Sequence, residues 1–246
     1  MNIKEQTYYL IADRIIGKSD SKSYVDWAVE MIQNGYETEN ILILAGLDSS
    51  DTEEREKYFR ESLNDLKIDY PDNEKELRSF YSTSLANRVV TGKVSPQIGL
   101  KKMTELVYAT DYSNEFIAFV DLDEDIDYVK YSGQPLFNSG LTKKNIDEFI
   151  INEFKLFLET REFKDEDLRN KAKCKKCGSI ETPVIKAKWS WKELKKQNYY
   201  CCPKCFSRQL IYGSSQKGKR LILDELKKTT PNILGIKAQL GREKRQ

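Results

Sequence analysis

Two pairs of cysteines are the residues whose type and spacing most clearly indicate chemistry. Cys174 and Cys177 form one pair, Cys202 and Cys205 form the other, and 24 residues separate them. Each pair can contribute two ligands to the same metal ion from a tight turn. Gly178 supplies a permissive backbone just after the first pair. Four thiolates complete a tetrahedral Zn²⁺ shell and leave no position for a catalytic water. The spacing therefore predicts one structural zinc ion per chain.

The alternatives to a metal site are a set of reduced, buried thiols or a disulfide. Two pairs at this spacing favour the metal. The fifth cysteine, Cys201, is the surplus thiol, because pairing it with Cys205 would lose the two-residue gap that Cys202 keeps. Cys201 is either a spectator or redox-sensitive, and zinc-bound thiolates can themselves be oxidised with loss of the metal.

The cysteine pattern resembles the zinc-ribbon family over residues 171–212. The resemblance implies two metal-binding turns on a small antiparallel sheet. The gap of 24 residues is longer than the usual spacing of about 15–20, so the resemblance implies an enlarged hairpin between the pairs.

A two-residue period between the cysteine pairs predicts a strand. It places Ile185, Ala187, Trp189 and Trp191 on one face and Lys186, Lys188 and Ser190 on the other. The tryptophans either stack on nucleic-acid bases or form the core of a small domain. The core interpretation is favoured for at least one of them, because so small a module needs apolar mass over the metal.

Basic residues crowd into the same module, which is typical of phosphate binding. No motif for reading bases is present, so the interaction predicted is with the backbone of DNA or RNA and independent of sequence. The alternative is that these charges face the acidic part of the same chain. The predicted nucleic-acid-binding residues are Lys173, Lys175, Lys176, Lys186, Lys188, Trp189, Lys195, Lys196 and Arg208.

The charge is divided unevenly along the chain, although the net charge is only +2. Residues 1–165 carry 20 Lys and Arg against 32 Asp and Glu, whereas residues 166–246 carry 21 against 7. The two parts are therefore expected to have different electrostatic partners. A basic protein is the expected partner of the acidic part.

Apolar residues at helical spacing predict an all-helical amino-terminal part, and hence an α+β protein with three domains. These are an acidic helical domain over residues 1–165, a zinc ribbon over 170–213, and a basic helix with a tail over 214–246. The helical domain is predicted to contain two related units, about 7–70 and 80–130, covered by a helix over 142–160. The duplication rests on the match between residues 11–16 and 85–90 and on an offset of 74 to 75 residues, which predicts that 11–48 superposes on 85–123.

The helical half resembles uncharacterised small helical proteins of bacteria. Its phrases Leu85-Ala86-Asn87-Arg88-Val89-Val90 and Leu44-Ala45-Gly46-Leu47 carry the resemblance. Some of those proteins belong to toxin–immunity or phage-conflict loci. The resemblance therefore implies an interaction or immunity role, in which the zinc ribbon would be purely structural. It identifies no functional residue.

The composition argues against most enzyme classes. The sequence contains no histidine, which excludes every mechanism with an imidazole base, and it has neither a glycine-rich phosphate loop nor a nucleophile elbow. The acidic run from Asp121 to Asp127 lacks the spacing of a calcium loop and is interpreted as a solvated helix end or loop. We therefore expect a non-enzymatic protein. No apolar run is long enough to span a membrane and no secretory segment is visible, so a cytoplasmic location is expected.

Overall fold

The computed structural model describes residues 3–17, 20–48, 51–69, 73–110, 112–162, 168–190 and 195–229. These residues divide between two compact units, one that ends at Phe116 and one that begins at Ile117. The fold is mostly helical with small antiparallel sheets near the carboxy terminus, which confirms the predicted α+β class. In the described parts of the chain, none of the helices combines the length and the apolar composition needed to cross a membrane.

The described residues of the first unit form six helices. They are α1 (Ile3–Gly17), α2 (Lys22–Gln33), α3 (Glu39–Ala45), α4 (Thr52–Asp65), α5 (Glu74–Val90) and α6 (Pro96–Ala109). Local caps decide where several of them begin, because a side-chain oxygen satisfies an amide that has no partner within the helix. Asp51 Oδ1 accepts the Glu54 amide at 2.9 Å, and Ser95 accepts the Ile98 amide just ahead of Pro96 at the first helical position.

The core of the first unit is built around aromatic side chains of α2 and α4. Tyr24 stacks on Phe59 with ring centroids 4.0 Å apart, and Trp27 meets the same ring edge-on at 5.0 Å. The buried indole Nε1 of Trp27 donates to Thr7 Oγ1 at 3.1 Å, so its polar atom is satisfied. Met31 and Ile41 extend this core and are fully buried.

The helix order is compatible with the predicted duplication. Helices α1 and α2 are followed by α3, and α5 and α6 are followed by a helix that begins at Ile117. The third helix of each series has different surroundings, however, because α3 packs against α2 and α4 whereas the helix at Ile117 belongs to the second unit. The superposition of 11–48 on 85–123 and the domain boundaries near 165 and 213 stay predictions.

In the second unit, the part of the chain that the structure describes combines three helices with two sheets. Its elements are α7 (Ile117–Ser132), α8 (Ile146–Glu162), a short 3₁₀ turn (Leu168–Asn170), β1 (Ala172–Cys174), β2 (Ile180–Glu181), β3 (Val184–Ser190), β4 (Lys195–Cys201), β5 (Leu210–Tyr212) and α9 (Gln216–Thr229). One sheet has the antiparallel order β2-β1-β5, and β3 and β4 form a separate hairpin. In the hairpin Val184 lies opposite Cys201 and Ser190 opposite Lys195. A hairpin between the cysteine pairs is therefore present.

Two helix boundaries differ from the sequence-based prediction. Helix α8 begins at Ile146, four residues later than predicted, because Asn145 Oδ1 accepts the Thr142 amide at 2.7 Å and holds the preceding residues in a turn. Helix α7 continues to Ser132, two residues beyond the predicted end of the second helical unit at about residue 130.

The interpretation of residues 121–127 as a solvated helix end or loop was wrong. The run lies inside α7, and Asp125 is fully buried. Its carboxylate accepts the backbone amides of Leu136, Phe137 and Asn138 at 2.5, 2.9 and 2.7 Å. Asp125 therefore fastens the loop after α7 to the helix, a contact that a local sequence pattern does not reveal.

Helix α9 packs tightly against the sheet β2-β1-β5, in which β1 ends at Cys174. A Cβ added to Gly213 would lie 1.8 Å from the Leu168 carbonyl oxygen, and one added to Gly218 would lie 1.7 Å from that of Tyr212. Ile222 and Leu223 are fully buried in a small core with Leu168. The helix of the predicted carboxy-terminal domain (214–246) is thus part of the second unit, and residues 230–246 of that domain lie outside the described residues.

Charges on α9 are matched by glutamates of α8. Lys219 forms a buried ion pair with Glu153, while Arg220 and Lys227 both contact Glu159 at 2.7 and 2.8 Å. Part of the positive charge counted in the carboxy-terminal sequence is therefore neutralised within the fold.

Candidate metal centre

The first two cysteines lie in a turn that follows β1, the first cysteine turn (residues 174–179). The Cys174 amide donates to the Ser179 carbonyl oxygen at 2.9 Å, and the Gly178 amide donates back to the Cys174 carbonyl oxygen at 2.9 Å. Closing the turn requires a left-handed backbone, and Gly178 has φ +75°. These two hydrogen bonds fix the turn so that both thiols point to the same side.

The second cysteine turn (residues 202–207) follows β4 and repeats this geometry. The Cys202 amide donates to the Ser207 carbonyl oxygen, and the Phe206 amide donates to the Cys202 carbonyl oxygen, both at 2.9 Å. Phe206 has φ +57° at the position that Gly178 occupies in the first turn. Both turns therefore present their thiols by the same backbone arrangement.

The two turns bring four sulfur atoms into one cluster. Cys174, Cys177, Cys202 and Cys205 have all their Sγ atoms within 4.8 Å of one another. The Cys174 and Cys205 sulfurs are 3.5 Å apart, and those of Cys177 and Cys202 are 3.6 Å apart. Among the described residues, this is the one group of three or more potential ligands that could hold a metal ion. The four cysteines are positioned to bind a single ion, as predicted.

Ser179 contributes to the electrostatics of the cluster. Its hydroxyl lies 3.2 Å from Cys177 Sγ and 3.3 Å from Cys202 Sγ. Hydrogen bonds from the Ser179 side chain and backbone lower the pKa of Cys177 to about 6, and the same hydroxyl lowers the pKa of Cys202. Both sulfurs are thereby stabilised as thiolates, the form that binds a metal ion.

The pKa of Cys205 is shifted in the opposite direction. The Ser207 amide lowers its pKa, but desolvation and the neighbouring thiols outweigh this and raise the pKa to about 12. The two serines were not predicted as site residues, although the sequence carries a signal for them. Each cysteine pair is followed by the same phrase, in which a serine stands two residues after the second cysteine, as Ser179 and Ser207.

Cys201 lies outside the sulfur cluster. It is fully buried, and its thiol donates to the Val184 carbonyl oxygen across the β3–β4 hairpin at 3.6 Å. This geometry agrees with the choice of Cys202 over Cys201 as the ligand.

Phe206 and Arg208, which follow β4 in the sequence, contact one face of the hairpin, which we call the covered face. The ammonium group of Lys186 lies over the Phe206 ring, 3.2 Å from its centroid, and the Arg208 guanidinium lies over the Tyr199 ring at 3.7 Å. These cation–π contacts fix two of the predicted nucleic-acid-binding residues against the sheet.

The remaining predicted nucleic-acid-binding residues have different surroundings. Lys175, Lys176, Lys188 and Lys196 are exposed, whereas Lys173 forms an ion pair with Glu225 of α9 at 2.9 Å. The Lys195 side chain is outside the described residues. Trp189 is 46% exposed and therefore does not belong to a core; Trp191 also lies outside the described residues.

No protein-family model matches this chain, and comparisons with curated proteins and with solved structures found no match either. The assignment of a function therefore rests on the cysteine cluster and its surroundings.

Proposed function

We propose that this protein is a non-enzymatic zinc-ribbon protein that binds nucleic acid through its basic carboxy-terminal part, without reading base sequence. The observation that carries the proposal is the convergence of four cysteine sulfurs within 4.8 Å, on a module whose exposed charges are mostly lysines.

Zinc is the metal that the donor set favours. A tetrahedral Zn²⁺ ion with bonds of about 2.3 Å has sulfur–sulfur edges of about 3.8 Å. The separations of 3.5 Å for Cys174 and Cys205 and 3.6 Å for Cys177 and Cys202 come close to this edge. Four soft thiolates suit zinc better than magnesium or calcium, which take oxygen ligands.

The role of the ion in this proposal is structural. Four protein ligands leave no coordination position for water or substrate. The two cysteine pairs are separated by 24 residues of sequence, so the bound ion supplies folding free energy by joining them. Strand β1 of the sheet β2-β1-β5 ends at Cys174, and helix α9 packs against β1, so both would be held in place by the same cross-link.

Phosphate groups are the proposed ligands of the exposed lysines. Lys175 and Lys176 lie in the first cysteine turn, and Lys188 and Lys196 lie on the hairpin, all four exposed. Ammonium groups that neutralise phosphates release condensed counterions, which supplies affinity without sequence specificity. Lys173 and Lys204 contribute less, because each is paired with a glutamate of the same unit.

Nucleic-acid binding is tested by a pair of matched double variants in the full-length protein. Lys188→Ala with Lys196→Ala should weaken binding to labelled duplex and single-stranded DNA and flatten the salt dependence between about 50 and about 200 mM. Lys143→Ala with Lys144→Ala removes the same charge from exposed positions ahead of α8 and should leave binding nearly unchanged. Absence of binding by the unaltered protein at about 50 mM salt would refute the proposal.

The second candidate is a protein-interaction role for the acidic helical part. One observation favours it: α4 presents an open cleft in which acidic side chains outnumber basic ones. The cleft is lined by Asp51, Glu53, Glu54, Glu56 and Glu61 together with Lys57 and Arg60. A partner with a basic surface would complement this cleft. We expect the protein to bind a labelled oligolysine peptide and high salt to weaken this binding. The double variant Glu53→Gln with Glu54→Gln should abolish it. Equal binding by the variant would count against the cleft.

A further inference from the structure

The second face of the β3–β4 hairpin, which we call the open face, is not covered by other elements. Strand register places three cross-strand pairs on it. They are Ile185 with Tyr200, Ala187 with Asn198 and Trp189 with Lys196. All six residues are exposed, including Ile185 at 59%, Tyr200 at 54% and Trp189 at 46%. Large apolar side chains are thus presented to solvent side by side.

The aromatic rings on the two faces of the hairpin have different surroundings. On the covered face, Lys186 and Arg208 occupy the ring surfaces of Phe206 and Tyr199. Among the described residues, no cation lies over Trp189 or Tyr200. The flat surfaces that remain accessible to an outside ring are therefore those of the open face.

The charge around the open face favours an anionic occupant. Residues 184–201 contain five lysines and one glutamate. Lys196 lies on the open face itself, directly opposite Trp189. A basic surface with accessible aromatic rings complements a polyanion that carries flat bases, and it would repel a basic protein.

The geometry points to single-stranded nucleic acid as the ligand of the open face, and we propose that unpaired bases stack on Trp189 and Tyr200 while Lys196 contacts phosphate. Trp189 and Tyr200 are four residues apart along the hairpin, because Tyr200 pairs with Ile185, and this corresponds to about 13 Å. Stacked bases in a duplex are about 3.4 Å apart and their flat surfaces are occupied by neighbours. Stacking on both rings therefore requires unpaired, separated bases. This inference rests on the proposed function and names its substrate class.

The inference is tested with full-length protein and two labelled probes, a single-stranded oligonucleotide of mixed sequence and the corresponding duplex. Trp189→Ala and Tyr200→Ala should each weaken single-strand binding about 5- to 150-fold, the range expected for one base–aromatic stack. Duplex binding should change little, and the salt dependence of single-strand binding should keep its slope, because no phosphate contact is removed. Trp189→Phe should restore most of the affinity, since it keeps a ring.

A matched control lies on the covered face. Tyr199→Leu removes a ring that Arg208 already occupies, so it should leave the preference for single strands intact. Metal content and melting temperature of every variant establish that exposed substitutions have not unfolded the module.

The outcomes separate this inference from the broader proposal. If the unaltered protein binds single strand and duplex equally and Trp189→Ala changes neither, the open face is not a base-stacking surface, although backbone binding stands. If the protein binds neither probe at low salt, nucleic-acid binding itself fails. If the open face instead binds a second protein, Trp189→Ala and Tyr200→Ala should weaken that protein–protein interaction. Neither oligonucleotide should compete with it, and this outcome would overturn the inference.

Discussion

Gly178 and Phe206 occupy the same position in the two cysteine turns, each with a left-handed backbone and each donating its amide to the carbonyl oxygen of the first cysteine of its pair. A glycine adopts this conformation without strain, whereas an L-residue with a side chain pays about 1–2 kcal/mol. Phe206 tolerates that strain in a position where Lys186 packs over its ring. The two turns are therefore alike in backbone and unlike in the way they are stabilised.

The left-handed backbone at Gly178 predicts a link between strain and metal affinity. Gly178→Ala should lower the free energy of unfolding by about 1 kcal/mol and weaken zinc binding, because a Cβ there meets no atom within 4 Å and only the backbone is strained. Competition with a chromophoric chelator measures the zinc affinity. Gly133→Ala is the control, since it has φ +80° and open space but lies away from the cysteines. Equal zinc affinities for the two variants would contradict the prediction.

The sulfur cluster predicts a sharp difference among the five cysteines. Cys177→Ser or Cys202→Ser should lose the bound zinc and unfold the module around the cysteine turns, because three thiolates do not complete the shell. Cys201→Ala should keep one zinc ion per chain, since its sulfur bonds to the Val184 carbonyl outside the cluster. Elemental analysis and circular dichroism measure both effects. Zinc retained by Cys202→Ser and lost by Cys201→Ala would reverse the ligand assignment.

The close approach at Gly218 predicts a large loss of stability on substitution. A Cβ 1.7 Å from the Tyr212 carbonyl oxygen cannot be accommodated without moving α9, so Gly218→Ala should cost about 1–3 kcal/mol or more in urea unfolding. Gly46→Ala is the control, because its nearest atom is 3.4 Å away and its φ is −86°. The Gly46→Ala substitution should leave the free energy of unfolding nearly unchanged. A Gly218→Ala protein as stable as the parent would show that α9 does not pack as described.

The contacts of Glu159 predict a pH-dependent share of the stability. Desolvation raises the pKa of Glu159, but hydrogen bonds from Lys227 and Arg220 outweigh it and hold the pKa below its usual range. A depressed carboxyl pKa stabilises the fold at neutral pH, and this contribution is lost as the pH falls through the folded-state pKa. Glu159→Gln should therefore cost up to about 1 kcal/mol at pH near 7, with the difference vanishing in acid.

Urea unfolding at a series of pH values measures that dependence. Glu148→Gln is the control, because Glu148 lies exposed on the same helix. It should show little difference from the parent at any pH. A Glu159→Gln effect that persists unchanged below the ordinary glutamate pKa of about 4.3 would assign the stabilisation to packing and not to charge.

Features that depend on short stretches of chain could be predicted from the amino-acid sequence alone. The ligands Cys174 and Cys177 are three residues apart and one turn suffices to bring them together, so their spacing is informative without any tertiary contact. The alternation around Trp189 likewise predicted which residues share a hairpin face, because a strand repeats every two residues. The start of α6 is also a local feature, because the capping residue Ser95 and Pro96 at the first helical position are adjacent in the sequence.

Contacts between distant parts of the chain were decided only by the tertiary structure. Asp125 was mistaken for a solvated residue because the amides that bury it come from a loop 11 to 13 residues later. The sequence left open whether the lysines of α9 are free or face acidic residues of the same chain, and the structure pairs Lys219 with Glu153, 66 residues away. Which aromatic rings remain accessible, as Trp189 does, follows from which cations pack over the others. No local period encodes such pairings, because they arise from how helices and strands pack once each has formed.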